Sequence, residues 1–304
     1  MKTYTGLYIG KVFKDILSDL WNKPEYITCP RGMEVREIRD CCICIKKPME
    51  NLGFHEQRSS PLKYIAAEIL WYFSGTNDPT FIENYASLWK KLHNEDDTVN
   101  SAYGNLIFQE KTPTGLTQYQ WVIESLKKDK DSRQAFMHFN KPPHQYLNNK
   151  DQVCTLNAIF HIRENKLHMT LTMRSNDIIY GFMTDWAFFS ILQYQVYNSL
   201  KAYYPKLTIG SYTHISHSMH VYERHYSMLR KMFEKPWNNG FKTGSIPLSN
   251  TNIVDETGKI NKIYFELLMP IFYGKKPDFN NIPNTNNDLL NWCIEQLKEE
   301  DHSG

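Results

Sequence analysis

The run from Cys154 to Met173, CTLNAIFHIRENKLHMTLTM, constrains the fold more than any other stretch. Cys154, Leu156, Ala158, Phe160 and Ile162 recur at every second position, the period of a strand with one buried face. RENK supplies a turn, and Leu167, Met169, Leu171 and Met173 then alternate again. The spacing predicts two strands, with Arg174 on the face opposite those four side chains. The chain goes on as RSNDIIYGFMTDWAFF, and after YGFMT a helical pattern runs to about Tyr204. Burying a charge is costly unless it is paired or used, so Arg174, Asp177 and Asp185 in this apolar setting each call for a role.

SSPLKYIAAEILWYFSG predicts a second helix, capped by Ser60 with Pro61 in its first position. Leu62, Ile65, Ala66, Ile69, Tyr72 and Phe73 fall on one face. Glu68 lies at the border of that face, where an acid can reach a cavity or point to water. SMHVYERHYSMLRKMF reads as a further helix. HFNKPPHQYLNNKDQ and FYGKKPDFNNIPNTNND, rich in Pro, Asn and Lys, read as long loops. Strands and helices are interspersed without a βαβ rhythm, which points to an α+β fold. With 41% hydrophobic residues, the 304-residue chain has material for one substantial domain spanning 1–304.

Charge and composition exclude several classes. Lys and Arg total 35 against 33 Asp and Glu, a balance that gives no support for a nucleic-acid-coating surface. No run of about eighteen apolar residues is present to span a membrane. MKTYTGLYIGKVFKDILSDL lacks the continuous apolar stretch of a secretory signal, so a cytoplasmic location is expected. Three of the six cysteines crowd into RDCCICIK and the rest are scattered. That is neither a disulfide framework nor a zinc pattern, and no metal is expected.

Individual residues admit two readings each. Cys154 is a small buried hydrophobe, or a nucleophile if a cation such as Arg174 stands beside it. Arg31, Arg133 and Arg174 are surface arginines, or the guanidinium groups that grip a phosphate. Asp185 is an acid in the first turn of a helix that Thr184 caps, or a functional carboxylate. Asp177 suits a turn, and Trp89, Tyr103 and Tyr222 suit a core or its rim. His220 suits a structural role as well as a functional one.

In order along the chain, AAEILWYFSGTND, LWKKL, SAYGN, DSRQAF, DQVCTLNAIF, MRSNDIIYGFMTDWA and SMHVYERHY carry a resemblance. The chain resembles the thymidylate synthase superfamily, and within it the pyrimidine nucleotide hydroxymethylases, the deoxycytidylate type above all. The resemblance covers about Arg31 to His225. It implies an α+β fold with a large mixed sheet flanked by helices, and an obligate symmetric homodimer. It implies that Cys154 attacks C6 of a pyrimidine nucleotide, making C5 nucleophilic toward the one-carbon unit of 5,10-methylenetetrahydrofolate. Arg31, Arg174 and Ser175 would bind the 5′-phosphate, with Arg133 reaching in from the partner subunit. Glu68 would organise water and proton transfer, and Tyr103 would help remove the C5 proton. Trp89 and Asp177 would line the folate site with Glu68, and His220 and Tyr222 would hold the sugar 3′-hydroxyl.

Departures from the family sharpen the expectation. Gln134 follows Arg133 where the family usually carries a second arginine, which weakens one phosphate contact. Thr155 follows Cys154 where synthases commonly have histidine, and CT is the hydroxymethylase-like form. NWCIEQLKEEDHSG does not resemble the short apolar tail with which synthases close over folate, which favours water as the final nucleophile. Asp185 stands where uracil-using synthases carry asparagine. A carboxylate accepts from the cytosine amino group and stabilises a proton on N3. The expectation is a dCMP 5-hydroxymethyltransferase. The alternatives are a CMP hydroxymethylase, a dUMP hydroxymethylase or thymidylate synthase, and a non-catalytic nucleotide-binding protein.

Overall fold

The computed structural model describes residues 1–58, 61–234 and 240–298. Along the chain it forms β1 (Lys2–Gly6), α1 (Ile9–Asn22), β2 (Tyr26–Thr28), β3 (Val35–Ile45), β4 (Leu52–His55), α2 (Leu62–Ser74), α3 (Tyr103–Phe108), α4 (Gln118–Lys128) and β5 (Phe136–His138). There follow β6 (Thr155–Arg163), β7 (Lys166–Met173), β8 (Asn176–Asp177), α5 (Phe182–Lys201), β9 (Thr208–Tyr222), α6 (Tyr226–Glu234), β10 (Phe241–Gly244), α7 (Phe265–Phe272) and α8 (Asp288–Leu297). The class is α+β, with a large mixed sheet and flanking helices, as the sequence implies. The chain forms two compact units, each assembled from three separate stretches.

The first unit comprises Met1–Ser60, Cys154–Gln193 and Thr208–Ile246. Its sheet runs β1-β3-β9-β7-β6, with β2 paired to β3 and β8 to β9. Pairing is parallel for β1 with β3, β7 with β9 and β8 with β9, and antiparallel for β3 with β9 and β6 with β7. The two-residue turn from β6 to β7 places Glu164 and Asn165 at φ 50 and 57, the left-handed pair that matches the twist of a tight hairpin. One sheet face is buried through Ile43, Leu171, Met173, Phe160 and His214. The other, carrying Cys42, Cys44, Ile159, Thr170, Thr213 and Ile215, is half-buried. At the start of α5, Phe182 stacks on Phe13 at 6.3 Å, and Trp186 stacks on Tyr212 at 4.1 Å.

The second unit comprises Pro61–Val153, Tyr194–Leu207 and Pro247–Gly304, and is mainly helical. Its central helix α2 packs on α3, α7 and α8. Thr117 and Gln120 form a reciprocal capping box at the start of α4. Gly75 closes α2 at φ 77, a left-handed end that glycine meets at least steric cost. Residues 139–152 continue from β5 as a loop with one turn of 3-10 helix, and 273–287 contains no α-helix or strand.

Five local expectations change. The helix expected over SMHVYERHYSMLRKMF is a strand through Tyr222, with helix only from Tyr226, because Val35–Ile38 of β3 pairs with Met219–Tyr222. In β6 the alternation slips at a bulge between Thr155 and Asn157, so Thr155 is buried and Leu156 is not. Thr184 lies inside α5, where its hydroxyl donates to the carbonyls of Gly181 and Tyr180, so it is not the cap. Pro61 precedes the first helical residue of α2, and Ser60 lies outside the described residues. From Ile65 to Ser74 that helix is buried on every side rather than on one stripe.

The tightest backbone approach in the second unit is at Gly104. A Cβ there would lie 1.9 Å from the carbonyl oxygen of Tyr72. Replacing Gly104 by alanine must push α3 off α2. The expected cost is about 3 kcal/mol or more, seen as a melting temperature lowered by roughly 6 °C or more. Differential scanning calorimetry of Gly104→Ala checks it.

Candidate active site

The antiparallel pair Thr155↔Met173 ends the β6–β7 ladder. The next residues out are Cys154 and Arg174, and Arg174 N donates to Cys154 O at 2.9 Å. The Arg174 guanidinium Nη2 then reaches the Cys154 sulfur at 3.4 Å. A fixed positive charge beside a thiol is the condition the nucleophile reading requires. Ser175 follows, half-buried, at the head of β8.

β8 aligns Asp177 with His220 of β9. His220 is buried, and its Nδ1 bonds the Ser218 carbonyl at 3.1 Å. A carbonyl only accepts, so Nδ1 carries the proton, and in the neutral ring Nε2 is an acceptor suited to a hydroxyl. The ring packs edge-on against Tyr222 at 4.9 Å. Asp177 accepts from Ile179 N at 2.9 Å as a turn residue, and its carboxylate also lies 3.8 Å from Arg224 and 3.9 Å from His225. Asp185, half-buried in the first turn of α5, accepts from Asn176 Nδ2 at 2.7 Å. Burial, and with it the charge of Asp185, pushes the Tyr212 hydroxyl far up.

The structure adds Arg58 to this group. Its side chain is buried, its guanidinium lies 5.2 Å from the Tyr180 ring, and its Nε and Nη1 have no hydrogen-bond partner among the described residues. Burial holds its pKa down at about 10, against the pull of Tyr180 and Asp177. HEQRSSP offers no pattern by which to single it out.

Arg31 is exposed in the turn Pro30–Gly32 at φ 55. A left-handed arginine is a strained backbone position of the kind that collects at ligand sites. Neither it nor Arg133 makes a side-chain hydrogen bond or ion pair among the described residues. Arg133 stands exposed in the second unit, on the loop after α4, followed by Gln134, whose carbonyl accepts from Trp121.

In the second unit, Glu68 lies buried at the centre of an aromatic cluster. Tyr64 and Tyr72, one helical turn to either side, donate to Glu68 Oε1 at 2.6 and 3.3 Å. Trp89 donates its indole N–H to the Tyr64 hydroxyl at 3.2 Å, and Tyr103 packs on Tyr72 at 5.5 Å. The border acid thus faces inward, and Glu68, Trp89 and Tyr103 come together. The spacing of Tyr64 and Tyr72 at i−4 and i+4 from Glu68 was the available signal for these two further members. Asp151, also buried, accepts from Ser101 N at 2.7 Å and from its hydroxyl at 2.5 Å, fixing the segment that leads into Tyr103. Among the described residues no group of three or more His, Cys, Asp or Glu is placed to hold a metal ion. Nor is any helix of them long and apolar enough to cross a membrane.

Comparison with known proteins gives this arrangement a family. The sequence profile described as thymidylate synthase matches residues 13–248. The deoxyuridylate hydroxymethyltransferase of Bacillus phage SP01 is 28% identical over 258 residues, 82% of this chain and 66% of the relative's length. The deoxycytidylate 5-hydroxymethyltransferase of Enterobacteria phage T6 is 29% identical over 177 residues, 55% of this chain and 70% of the relative. The thymidylate synthase of Fusobacterium nucleatum is 26% identical over 200 residues, covering 64% and 67%. Among solved structures, thermostable thymidylate synthase A from Bacillus subtilis superposes with a TM-score of 0.63 at 18% identity, over 83% of this chain and 91% of that one.

Burial raises the pKa of Glu68 to about 7, against the two tyrosine hydroxyls, which lower it. Below about pH 4.5 folded and unfolded chains both hold the proton. Between there and pH 7 only the folded chain does, so this residue's contribution to stability falls as pH rises and is lost above pH 7. Glu68→Gln removes that slope. It should melt above the wild type at pH 8 by an increment worth about 3 kcal/mol, and match it near pH 4. Melting curves from pH 4 to 8 test the sign.

Proposed function

This chain belongs to the thymidylate synthase family, and on that premise we propose that it is a dCMP 5-hydroxymethyltransferase that uses 5,10-methylenetetrahydrofolate and works as a homodimer. The observation that carries the reading is the 3.4 Å approach of Arg174 to the Cys154 sulfur, taken with an aspartate, Asp185, at the position we read as the base selector. A thiolate so placed can add to C6 of a pyrimidine, moving the electron pair to C5. Asp185 accepts from the cytosine amino group and stabilises a proton on N3.

The residues present fit a folate. Within the second unit, Trp89, Tyr64, Tyr72 and Tyr103 surround a buried acid with aromatic surface, which suits a planar co-substrate. When bound, the folate supplies a carbon at the oxidation level of formaldehyde. Glu68, with its pKa near 7, holds or releases a proton at working pH, and Tyr103 assists loss of the C5 proton. Release of Cys154 restores the C5–C6 double bond, and water provides the hydroxyl of the product. Arg31, Arg174 and Ser175 grip the phosphate, with Arg133 donated by the second subunit. The exposed guanidinium of Arg133, unpaired among the described residues, supports that role. The half-buried sheet face of Ile159, Thr170, Thr213, Ile215, Cys42 and Cys44 supports a second copy as its cover.

A uracil-directed hydroxymethylase is the second reading. The relative from phage SP01, matched over 82% of this chain, carries that name.

Incubation with dCMP, CMP and dUMP together with the folate, followed by mass spectrometry, should give hydroxymethyl-dCMP and tetrahydrofolate. A methylated product with dihydrofolate absorbance would replace the reading by a synthase. Cys154→Ala should abolish turnover while nucleotide affinity stays within about tenfold, or about 1.4 kcal/mol. Asp185→Asn should shift kcat/KM from the cytosine toward the uracil nucleotide, by ten- to a hundredfold for a lost bond of about 1.5–3 kcal/mol.

A further inference from the structure

Asn176 touches Asp185 and has no role in the reaction described so far. Its backbone is fixed in β8, opposite Met219 of β9, and its side chain is 3% exposed. Nδ2 donates to Asp185 Oδ2 at 2.7 Å, while Oδ1 is buried with no hydrogen-bond partner among the described residues. The turn between them is tight. Gly181 N donates to Asp177 O at 3.0 Å, and Asp185 N donates to Gly181 O at 2.9 Å. A Cβ on Gly181 would stand 3.0 Å from Asn176 Nδ2 and 3.4 Å from Asp185 Oδ2. The strand, the glycine and the first turn of α5 together bring one amide against one carboxylate.

A buried amide oxygen without a partner is unfavourable, and turning the amide over would not relieve it. That turn would set an amide oxygen against a carboxylate oxygen, two acceptors face to face. The donor orientation therefore goes with an ionised, acceptor-only Asp185. Cytosine presents an amino donor at C4, which an acceptor receives. Uracil presents a carbonyl there, which an acceptor repels. The amide donor favours the ionised form of Asp185, and with Oδ2 tied to it only Oδ1 could carry a proton toward this carbonyl.

Resting on the reading of Asp185 as the base selector, we infer that Asn176 is a specificity-positioning residue: by donating to Asp185 it holds that carboxylate acceptor-only and in fixed orientation, and so enforces cytosine over uracil. It acts through Asp185 and does not touch the nucleotide.

The test measures kcat/KM on dCMP and dUMP, with melting temperatures, for the wild type, Asn176→Ala, Asn176→Asp, Asp185→Asn and the double variant Asn176→Ala/Asp185→Asn. Asn176→Ala should lower the cytosine-to-uracil ratio about tenfold, through loss on dCMP. Asn176→Asp is isosteric and sets two carboxyl groups at hydrogen-bond distance, where they must share a proton. One of them becomes a donor, so the ratio should fall further through a gain on dUMP. In the Asp185→Asn background, Asn176→Ala should move the ratio by less than about twofold, the signature of a role exerted through Asp185. A purely structural asparagine predicts a lowered melting temperature and equal losses on both nucleotides. If Asn176→Ala fails to fold, the isosteric Asn176→Asp carries the same decision. A wild type that favours dCMP, with a ratio that answers to Asp185→Asn but to neither Asn176 variant, overturns the inference alone. A wild type that favours dUMP, with a ratio indifferent to Asp185→Asn, removes the base reading and the inference with it.

Discussion

The hydrogen bond from Arg174 N to the carbonyl of Cys154, 2.9 Å long, is the point on which the chemistry turns. It is the last tie of the β6–β7 hairpin, and everything that sets its register lies at the far end. Glu164 and Asn165, both left-handed, make the two-residue turn. From there the strands pair residue by residue until the bulge before Asn157 removes one step. A one-residue slip in a strand reverses every side chain beyond it. Without that bulge, Cys154 and Arg174 would not share an orientation. The nucleophile and its cation are thus set by a turn and a bulge rather than by any contact of their own.

The same logic governs the buried acids. Glu68 sits among aromatic rings, and two tyrosine hydroxyls give it only partial compensation, so its pKa rises to about 7. Asp151 is satisfied by a backbone N–H and a hydroxyl of Ser101. Asp185 has the amide of Asn176. Three carboxyl groups buried or partly buried thus meet three different sets of donors. At Glu68 burial outweighs the two phenol hydroxyls and leaves the acid near its neutral form, where it can exchange protons.

Much of this was legible in the residues. The period-two pattern from Ala158 to Met173 marks its buried face correctly, because nothing interrupts it. The helix around Glu68 and the first-turn position of Asp185 follow from spacing alone. The strand through His220 was hidden. SMHVY has no alternation, since Met219, His220 and Val221 are all buried, and its conformation comes from pairing with β3 on one side and β8 on the other. Arg58 was hidden for the same reason. Its neighbours Tyr180 and Asp177 lie far along the chain, and no local pattern encodes its burial. Leu156 went astray because a bulge is a one-residue event that periodicity averages away.

The strand order has a consequence for how such a chain is made. β9 is neighbour to both β3 and β7, yet it follows β3 by about half the chain. During synthesis, one edge of β3 emerges long before the strand that will cover it. At about 5–20 residues per second, that edge waits of the order of ten seconds or more with its backbone groups unpaired. Val35–Ile45 contains VREIRD, and its charged side chains guard an edge against pairing with a neighbour. CCICI, just after, has no such guard. Nascent chains on a crowded polysome would meet at that unguarded half of the strand, so the yield of folded protein depends on what shields those five residues until β9 arrives.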